Sequence, residues 1–229
     1  MRSAWWWGTD EWEAYQRAYY VDRTRPDAFK SSPLEADHVF DDLSYQQIDQ
    51  RTLILDLTRP LSCLWTEVRK SYHSLIHRAH EIYTITSEDT EASVTRFMAL
   101  HRAAFGVVRS EETFAHQANW VRHGHGLVVL ARGETLDGVQ GVDVAGAYWI
   151  LYHGCAYYAS GPSVVRNVQH AVLWHSIDIL RARGVRLVDL GPIDRTTPKD
   201  QNISLFKSGF SRTAVPVTTM TRGACGQFA

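Results

Sequence analysis

Val185-Arg186-Leu187-Val188-Asp189-Leu190-Gly191-Pro192 and, after an open polar loop, Ile203-Ser204-Leu205-Phe206-Lys207-Ser208-Gly209-Phe210 are the stretches on which the reading of the fold turns. The first has the composition of a short buried strand over 185–190, halted by a glycine and a proline. Ahead of it, an apolar helical pattern over 166–183 closes at Gly184. Behind it come a short helix near 201–208 and a strand over 215–220. Lys207 stands between Phe206 and Phe210, which sets one cation at the lip of an apolar pocket.

Toward the N-terminus, residues 127–131 predict a short buried strand, and 133–141 form a glycine-rich break. Small, aromatic and aliphatic residues then alternate over 142–152, His153-Gly154 signals a hairpin turn, and 155–160 form the partner strand. Helices are expected over 88–105 and 111–123, and a strand over 52–57. Thr58 and Pro60 then mark the entry to one long helix. In it Leu61, Leu64, Trp65, Val68, Tyr72, Leu75, Ile76, Ala79 and Ile82 form an apolar face, while Arg69, His73, His77 and His80 line another, with Lys70 and Arg78 beside them. Residues 22–50 read as a loop-rich connection, and 4–20 as an aromatic helix with Trp12, Tyr15 and Tyr19 on one face. The chain therefore divides into an N-terminal extension, 1–51, and an α+β domain, 52–229, with a mixed central sheet flanked by helices. That element order is the one expected of a GNAT-like acyltransferase core.

The chain has 229 residues, 45% hydrophobic and 21% charged, enough for one full core. Its 24 Lys and Arg against 25 Asp and Glu leave a formal charge of -1, so no global positive field recruits nucleic acid and any such contact must be local. Cys63, Cys155 and Cys225 form no Cys-x-x-Cys pair and no even disulfide set, which suits a reducing cytoplasm. No run of apolar residues is long enough to span a membrane, and Thr9, Asp10, Glu11 and Glu13 interrupt the tryptophan-rich start before it could serve as a signal peptide.

The run from His170 to Phe210, with Trp174, Gly184, Val188-Asp189-Leu190-Gly191 and the Leu205-Phe206-Lys207-Ser208-Gly209-Phe210 close, resembles the C-terminal GNAT half of the FemABX-like aminoacyl transferases. Asp56-Leu57, Leu64-Trp65 and the block 69–79 resemble the segment that joins the two halves in that family. The resemblance covers 53–223. It implies an enzyme that moves an amino acid from an aminoacyl-tRNA ester onto an amine, such as a cell-wall precursor or a peptide antibiotic intermediate. Only residues 1–51 stand where the family carries its first half. The acceptor contacts made by that half do not carry over; the tryptophan-rich N-terminus, a second copy of the chain or a partner protein could stand in its place.

Aminolysis of an ester passes through a tetrahedral oxyanion, which a fixed cation stabilises. The resemblance assigns that role to Lys207, with Phe206 and Phe210 as apolar substrate contacts; a lysine covering a core edge is the plainer alternative. Asp189 is a candidate to orient the attacking amine or accept its proton, and it could equally cap a neighbouring backbone amide. Tyr148, Tyr152 and Tyr158, with Trp149 and Tyr157, are candidates to stack on a base or line the substrate channel, and Ser160 closes that set; cross-strand packing explains strand aromatics as well. Arg69, Lys70, His73, His77 and Arg78 are candidates for contact with acceptor-stem phosphates, against a solvated helix face as the alternative. The pairs His73/His77 and His123/His125 lack an acidic or cysteine complement, so no metal is expected, and no other cofactor. An acyl-CoA donor would need free loop amides before the 166–183 helix, where Gly161-Pro162-Ser163-Val164-Val165-Arg166-Asn167 offers one glycine and a proline. That donor, and a non-catalytic GNAT-like binding domain, remain open as alternatives.

Overall fold

The computed structural model describes residues 3–5, 28–31, 45–107, 109–135, 137–152, 154–193 and 197–222. In chain order the elements are β1 (Ser3–Trp5), β2 (Ala28–Ser31), β3 (Tyr45–Asp56), α1 (Leu61–Glu67), α2 (Lys70–Ile82), β4 (Thr84–Glu88), α3 (Glu91–Phe105), α4 (Glu111–Arg122), β5 (Gly126–Gly133), β6 (Val142–Tyr152), β7 (Cys155–Ser160), α5 (Val168–Ala182), β8 (Leu187–Pro192), α6 (Pro198–Lys207) and β9 (Thr213–Arg222). The chain forms two compact units. One comprises 1–53, 192–205 and 213–229; in it β1 runs parallel to β2, and β2 pairs antiparallel with β9 from Ala28↔Thr221 to Ser31↔Thr218. The other comprises 54–191 and 206–212 and carries every candidate residue named above.

In that larger unit the strand order is β8-β7-β6-β5-β4, with the end of β3 beside β8. Neighbours pair antiparallel from β4 to β7, and β7 pairs parallel with β8, so the sheet is mixed as expected of an α+β GNAT-like fold. Strand β5 is buried from Gly126 to Ala131 and β6 from Val144 to Ile150. Burial on both faces explains why 126–131 and 144–150 carry almost no polar side chain, the alternation in the latter being one of size. Adjacent residues still take opposite sides. Tyr148 meets Phe97 of α3, ring centroids 5.9 Å apart, and its hydroxyl donates to the Gln117 carbonyl of α4 at 3.0 Å. Trp149 instead meets Tyr158, whose hydroxyl accepts from Gln169 of α5 at 2.8 Å. Helices thus cover both faces of the sheet. Fully burying side chains as large as Trp149, Tyr148 and Phe97 contributes on the order of 2 kcal/mol or more each.

Several expectations need correction. The long helix over 61–82 is two helices, because Val68 and Arg69 leave the helical path and the Arg69 amide donates outward to the Gly209 carbonyl at 2.7 Å. Thr58 does not cap it; its amide and hydroxyl both donate to Asp56 Oδ1, at 3.0 and 2.6 Å, closing the turn after β3. The helix expected to begin at residue 88 starts instead at Glu91 behind a Thr90 cap, and Glu88 ends edge strand β4. Residues 28–31 and 45–50, read as loop, belong to strands. The helix expected over 4–20 falls on residues outside those described beyond Trp5, which is in β1.

The break at Arg69 is held by a close fit. Tyr72 lies across Gly209, where a methyl group would overlap the ring and sit 2.6 Å from Cζ. Around it Tyr72, His170, Phe206 and Phe210 form a ring cluster, with centroids 4.2 Å apart for Tyr72–His170 and 5.4 Å for Tyr72–Phe210 and Phe206–Phe210. Gly209→Ala should therefore lower stability by about 1–3 kcal/mol through overpacking, read as a shifted urea midpoint. Combining it with Tyr72→Ala should cost less than the two single changes summed, and additivity would show that the overlap is relieved elsewhere.

Candidate active site

The parallel ladder between β7 and β8 is short. It runs Cys155↔Leu187, Ala156↔Val188 and Tyr157↔Asp189, after which β7 continues along β6 alone. Crevices outside the carboxyl ends of parallel strands are the usual ligand position in such sheets, and four groups meet here. Gly191 adopts φ 88°, a conformation that favours glycine, and a Cβ built on it would lie 2.9 Å from Lys207 Nζ and 3.3 Å from the Tyr157 hydroxyl. The Gly191 amide donates to Asp189 Oδ1 at 2.6 Å. Lys207, the last residue of α6, is only 8% exposed, and Asp189 3%. The sequence thus places a desolvated ammonium over a bare stretch of backbone, with a phenol beside it.

The side-chain directions follow from periodicity. Phe206 and Phe210 are four apart and fall on one side of a helical path, whereas Lys207 is about 100° round from Phe206. Accordingly the two phenylalanine rings turn to Tyr72 and His170, while the ammonium turns to Gly191 and Tyr157. The phenylalanines expected to bracket the cation and touch substrate instead anchor the turn that carries it, and Phe210 is fully buried. Among the hairpin aromatics, Tyr148, Tyr152 and Tyr158 are buried, as is Ser160, and the first and third of these spend their hydroxyls on Gln117 and Gln169. Burial pushes both phenols well above their ordinary range, so they stay neutral packing groups rather than stacking platforms. Tyr157, next to Tyr158 and on the opposite face, is the hairpin tyrosine that reaches the cluster.

The bond of Asp189 to the Gly191 amide is the capping role weighed for it, and it holds the glycine turn on which Lys207 rests. Of the basic set on α2, Lys70, His77 and Arg78 are exposed. Arg69 lies over the Tyr72 ring, 5.1 Å from its centroid. His73 stacks on Trp65 at 4.1 Å, and its Nε2–H reaches the Trp65 and Val68 carbonyls, each at 3.1 Å. Two members of that set therefore serve the helix break rather than the surface. Among the described residues no group of three or more His, Cys, Asp or Glu can hold a metal ion.

Sequence reasoning overlooked Arg109, in the loop between α3 and α4. Its guanidinium donates to the Ala159 carbonyl at 3.3 Å, and burial pushes its pKa below the ordinary arginine value, with the nearby Tyr157 opposing. It also overlooked His170, whose Nδ1 lies 3.0 Å from the carbonyl of Asn167, the non-glycine residue of positive φ that opens α5.

No protein-family model matches the chain and no curated protein is similar to it in sequence. Similar structures are known. FemX superposes with a TM-score of 0.62 over 91% of this chain and 74% of its own, at 12% identity. L-PGS from Bacillus licheniformis gives 0.57 over 85% and 67% at 10% identity. The C-terminal domain of a putative lysylphosphatidylglycerol synthetase from Agrobacterium fabrum gives 0.56 over 86% and 67% at 14%. The chain thus has the GNAT-like fold of Fem-type transferases, the fold to which the motifs of its last third pointed.

Burial holds His170, His80 and His175 below the ordinary histidine pKa of 6.5, and lesser effects act on each: the Asn167 carbonyl opposes at His170 and Arg69 lowers it, His77 lowers His80, and His80 lowers His175 while Asp178 opposes. The unfolded chain then takes up protons that the folded one refuses, so this contribution to stability is complete above pH 6.5 and is lost as pH falls from there through the folded values. The melting temperature should drop between about pH 7.5 and about pH 5.5, with a shallower drop in His170→Gln. An unchanged slope in that variant would mean that His170 is not one of the groups responsible.

Proposed function

We propose that the protein is an aminoacyltransferase that forms an amide bond, moving an amino acid from the ester of an aminoacyl-tRNA onto an amine. The observation that carries this reading is the buried Lys207 ammonium over Gly191, at the point where β7 and β8 part, in a fold shared with FemX. In the proposed reaction the acceptor amine attacks the ester carbonyl. Negative charge gathers on the carbonyl oxygen, and Lys207 stabilises it in a poorly hydrated setting where a fixed charge acts strongly. The intermediate collapses by breaking the bond to the ribose oxygen, which leaves with the proton that the amine gives up. Asp189 fixes the glycine turn beneath the ammonium and so positions it. Lys70, His77 and Arg78 are the exposed part of the proposed tRNA contact.

An acyl-CoA donor is less well supported by the loop ahead of α5. There the Val164 amide already donates to the Val144 carbonyl at 2.9 Å, Pro162 has no amide to give, and a methyl on Gly161 would collide with the Tyr158 hydroxyl, so the loop is closed against its own strands. Positions 162 and 164 therefore offer no amide to a pyrophosphate. The acceptor would be a small amine such as a peptide antibiotic intermediate or a cell-wall precursor.

The direct test is transfer of a radiolabelled amino acid from charged tRNA to a panel of amines. Lys207→Ala should reduce transfer about 10²- to 10³-fold, in the range found when one oxyanion contact is removed. Undiminished transfer by that variant would remove Lys207 from the chemistry, and transfer from acetyl-CoA but not from charged tRNA would replace the donor.

A further inference from the structure

Several half-buried rings of the larger unit stand in one row. Trp65 of α1 and Trp174 of α5 touch, with ring centroids 4.7 Å apart, and each keeps part of its surface in solvent. His73 of α2 stacks on Trp65 at 4.1 Å with 18° between the planes, and the exposed His77 meets the same indole edge-on at 5.3 Å. Four residues before Trp174, on the same face of α5, half-buried His170 lies 5.0 Å from Phe206, which is half-buried as well and precedes Lys207 in the chain. The row thus follows the seam where α2 packs on α5 and ends one residue from the proposed reacting ammonium.

Leaving two tryptophans side by side at the surface forgoes apolar burial that the fold could have used. The arrangement is also held in place. His73 is tied by Nε2 to the Trp65 and Val68 carbonyls, so the imidazole that backs the Trp65 indole is fixed from beneath. Rigid aromatics with one part in solvent are the groups on which flat ligands stack.

Charge selects the ligand. Lys70 and Arg78, both exposed, bracket His73 and His77 along α2, about 12 Å apart by helix rise. Lys70 shares the face of His77, seven residues on. The acid of α1, Glu67, is paired with Arg59. Glu81 and Asp178 come one turn past His77 and Trp174 and close the row with negative charge on both helices. Cations flanking a line of rings fit a polyanion that carries separate planar bases, which is an unpaired strand of nucleotides. A duplex keeps its base faces stacked inside and offers the rings nothing.

We propose that this row holds the unpaired 3′ end of the aminoacyl-tRNA, with Trp174 and Trp65 stacking its bases and Lys70 and Arg78 meeting its phosphates. The inference rests on the acyl-transfer reading above and names how its donor is held. Trp65 and Trp174 are then binding residues for the donor strand and take no part in the chemistry at the ester.

Fluorescence anisotropy with a labelled single-stranded RNA octamer ending in ACCA tests it. The parent protein should bind the strand saturably at low salt, and more tightly than the same strand annealed to its complement. Trp174→Leu keeps an apolar side chain on the seam and removes the ring, so it should weaken binding by about 10-fold or more, while Trp174→Phe retains most of it. Lys70→Gln and Arg78→Gln should each reduce the log–log salt slope by about 0.7. Equal affinity in the parent and in folded Trp174→Leu refutes the stacking, as does a duplex bound as well as the strand. Sedimentation with phosphatidylglycerol vesicles and no binding of RNA would make the row a lipid contact and overturn the proposal, and so would binding of neither. In the transfer assay, Trp174→Leu should raise the KM for charged tRNA with kcat nearly unchanged. Transfer at an unaltered KM would keep the donor and reject the row, whereas RNA binding without transfer from charged tRNA would keep the row and reject the transferase reading, so the two fail separately.

Discussion

The placement of the Lys207 ammonium over Gly191 depends on a backbone that no side chain obstructs. Position 191 suits glycine for its positive φ, and a Cβ there, 2.9 Å from Nζ, would push the ammonium off the turn. Its amide is held by Asp189, one strand residue earlier but one, so the turn is fixed from the β8 side. From the other side, Lys207 is fixed by the turn that follows it. Phe210 is buried among Tyr72, His170 and Phe206, and the Gly209 carbonyl takes the amide of Arg69. The break between α1 and α2 therefore exists to reach that carbonyl, and the basic and aromatic residues around it are committed to the joint before they can serve a ligand.

Much of the fold was legible because periodicity decides it locally. The hairpin of β6 and β7 was readable to the residue from alternation and from a glycine turn, and α5 from apolar residues recurring at helical spacing. The misreadings have tertiary causes. Val68 and Arg69 carry an apolar and a basic residue at good helical spacing, and only a carbonyl 140 positions downstream, at Gly209, pulls the Arg69 amide out of line. Strand β4 is five residues of Thr, Ile, Ser and Glu whose pairing partner, β5, comes later in the chain.

The candidate site was legible in its centre and not in its walls. Lys207 and Asp189 were readable from a strand end and a short motif. The hairpin tyrosines could not be ranked by composition, although the period of two already separates Tyr157 from Tyr158 and puts Tyr157 on the face of Tyr148's neighbours α3 and α4, where the loop bearing Arg109 lies. Arg109 had no sequence signal, since an arginine before a capped helix is ordinary. What distinguishes it is the bond of its guanidinium to the Ala159 carbonyl, 50 positions downstream, and that is a property of three dimensions.

A buried lysine also bears on the choice of donor. In the proposed aminolysis, negative charge would gather beside it on the oxygen of the tetrahedral intermediate. A thioester donor would generate the same oxyanion, but it would also bring a pyrophosphate that must be held by the loop before α5, where the Val164 amide is taken and Pro162 has none. Lys207 thus stands where the proposed chemistry would create an anion, while two positions of the loop that a nucleotide cofactor would use, 162 and 164, have no amide to offer.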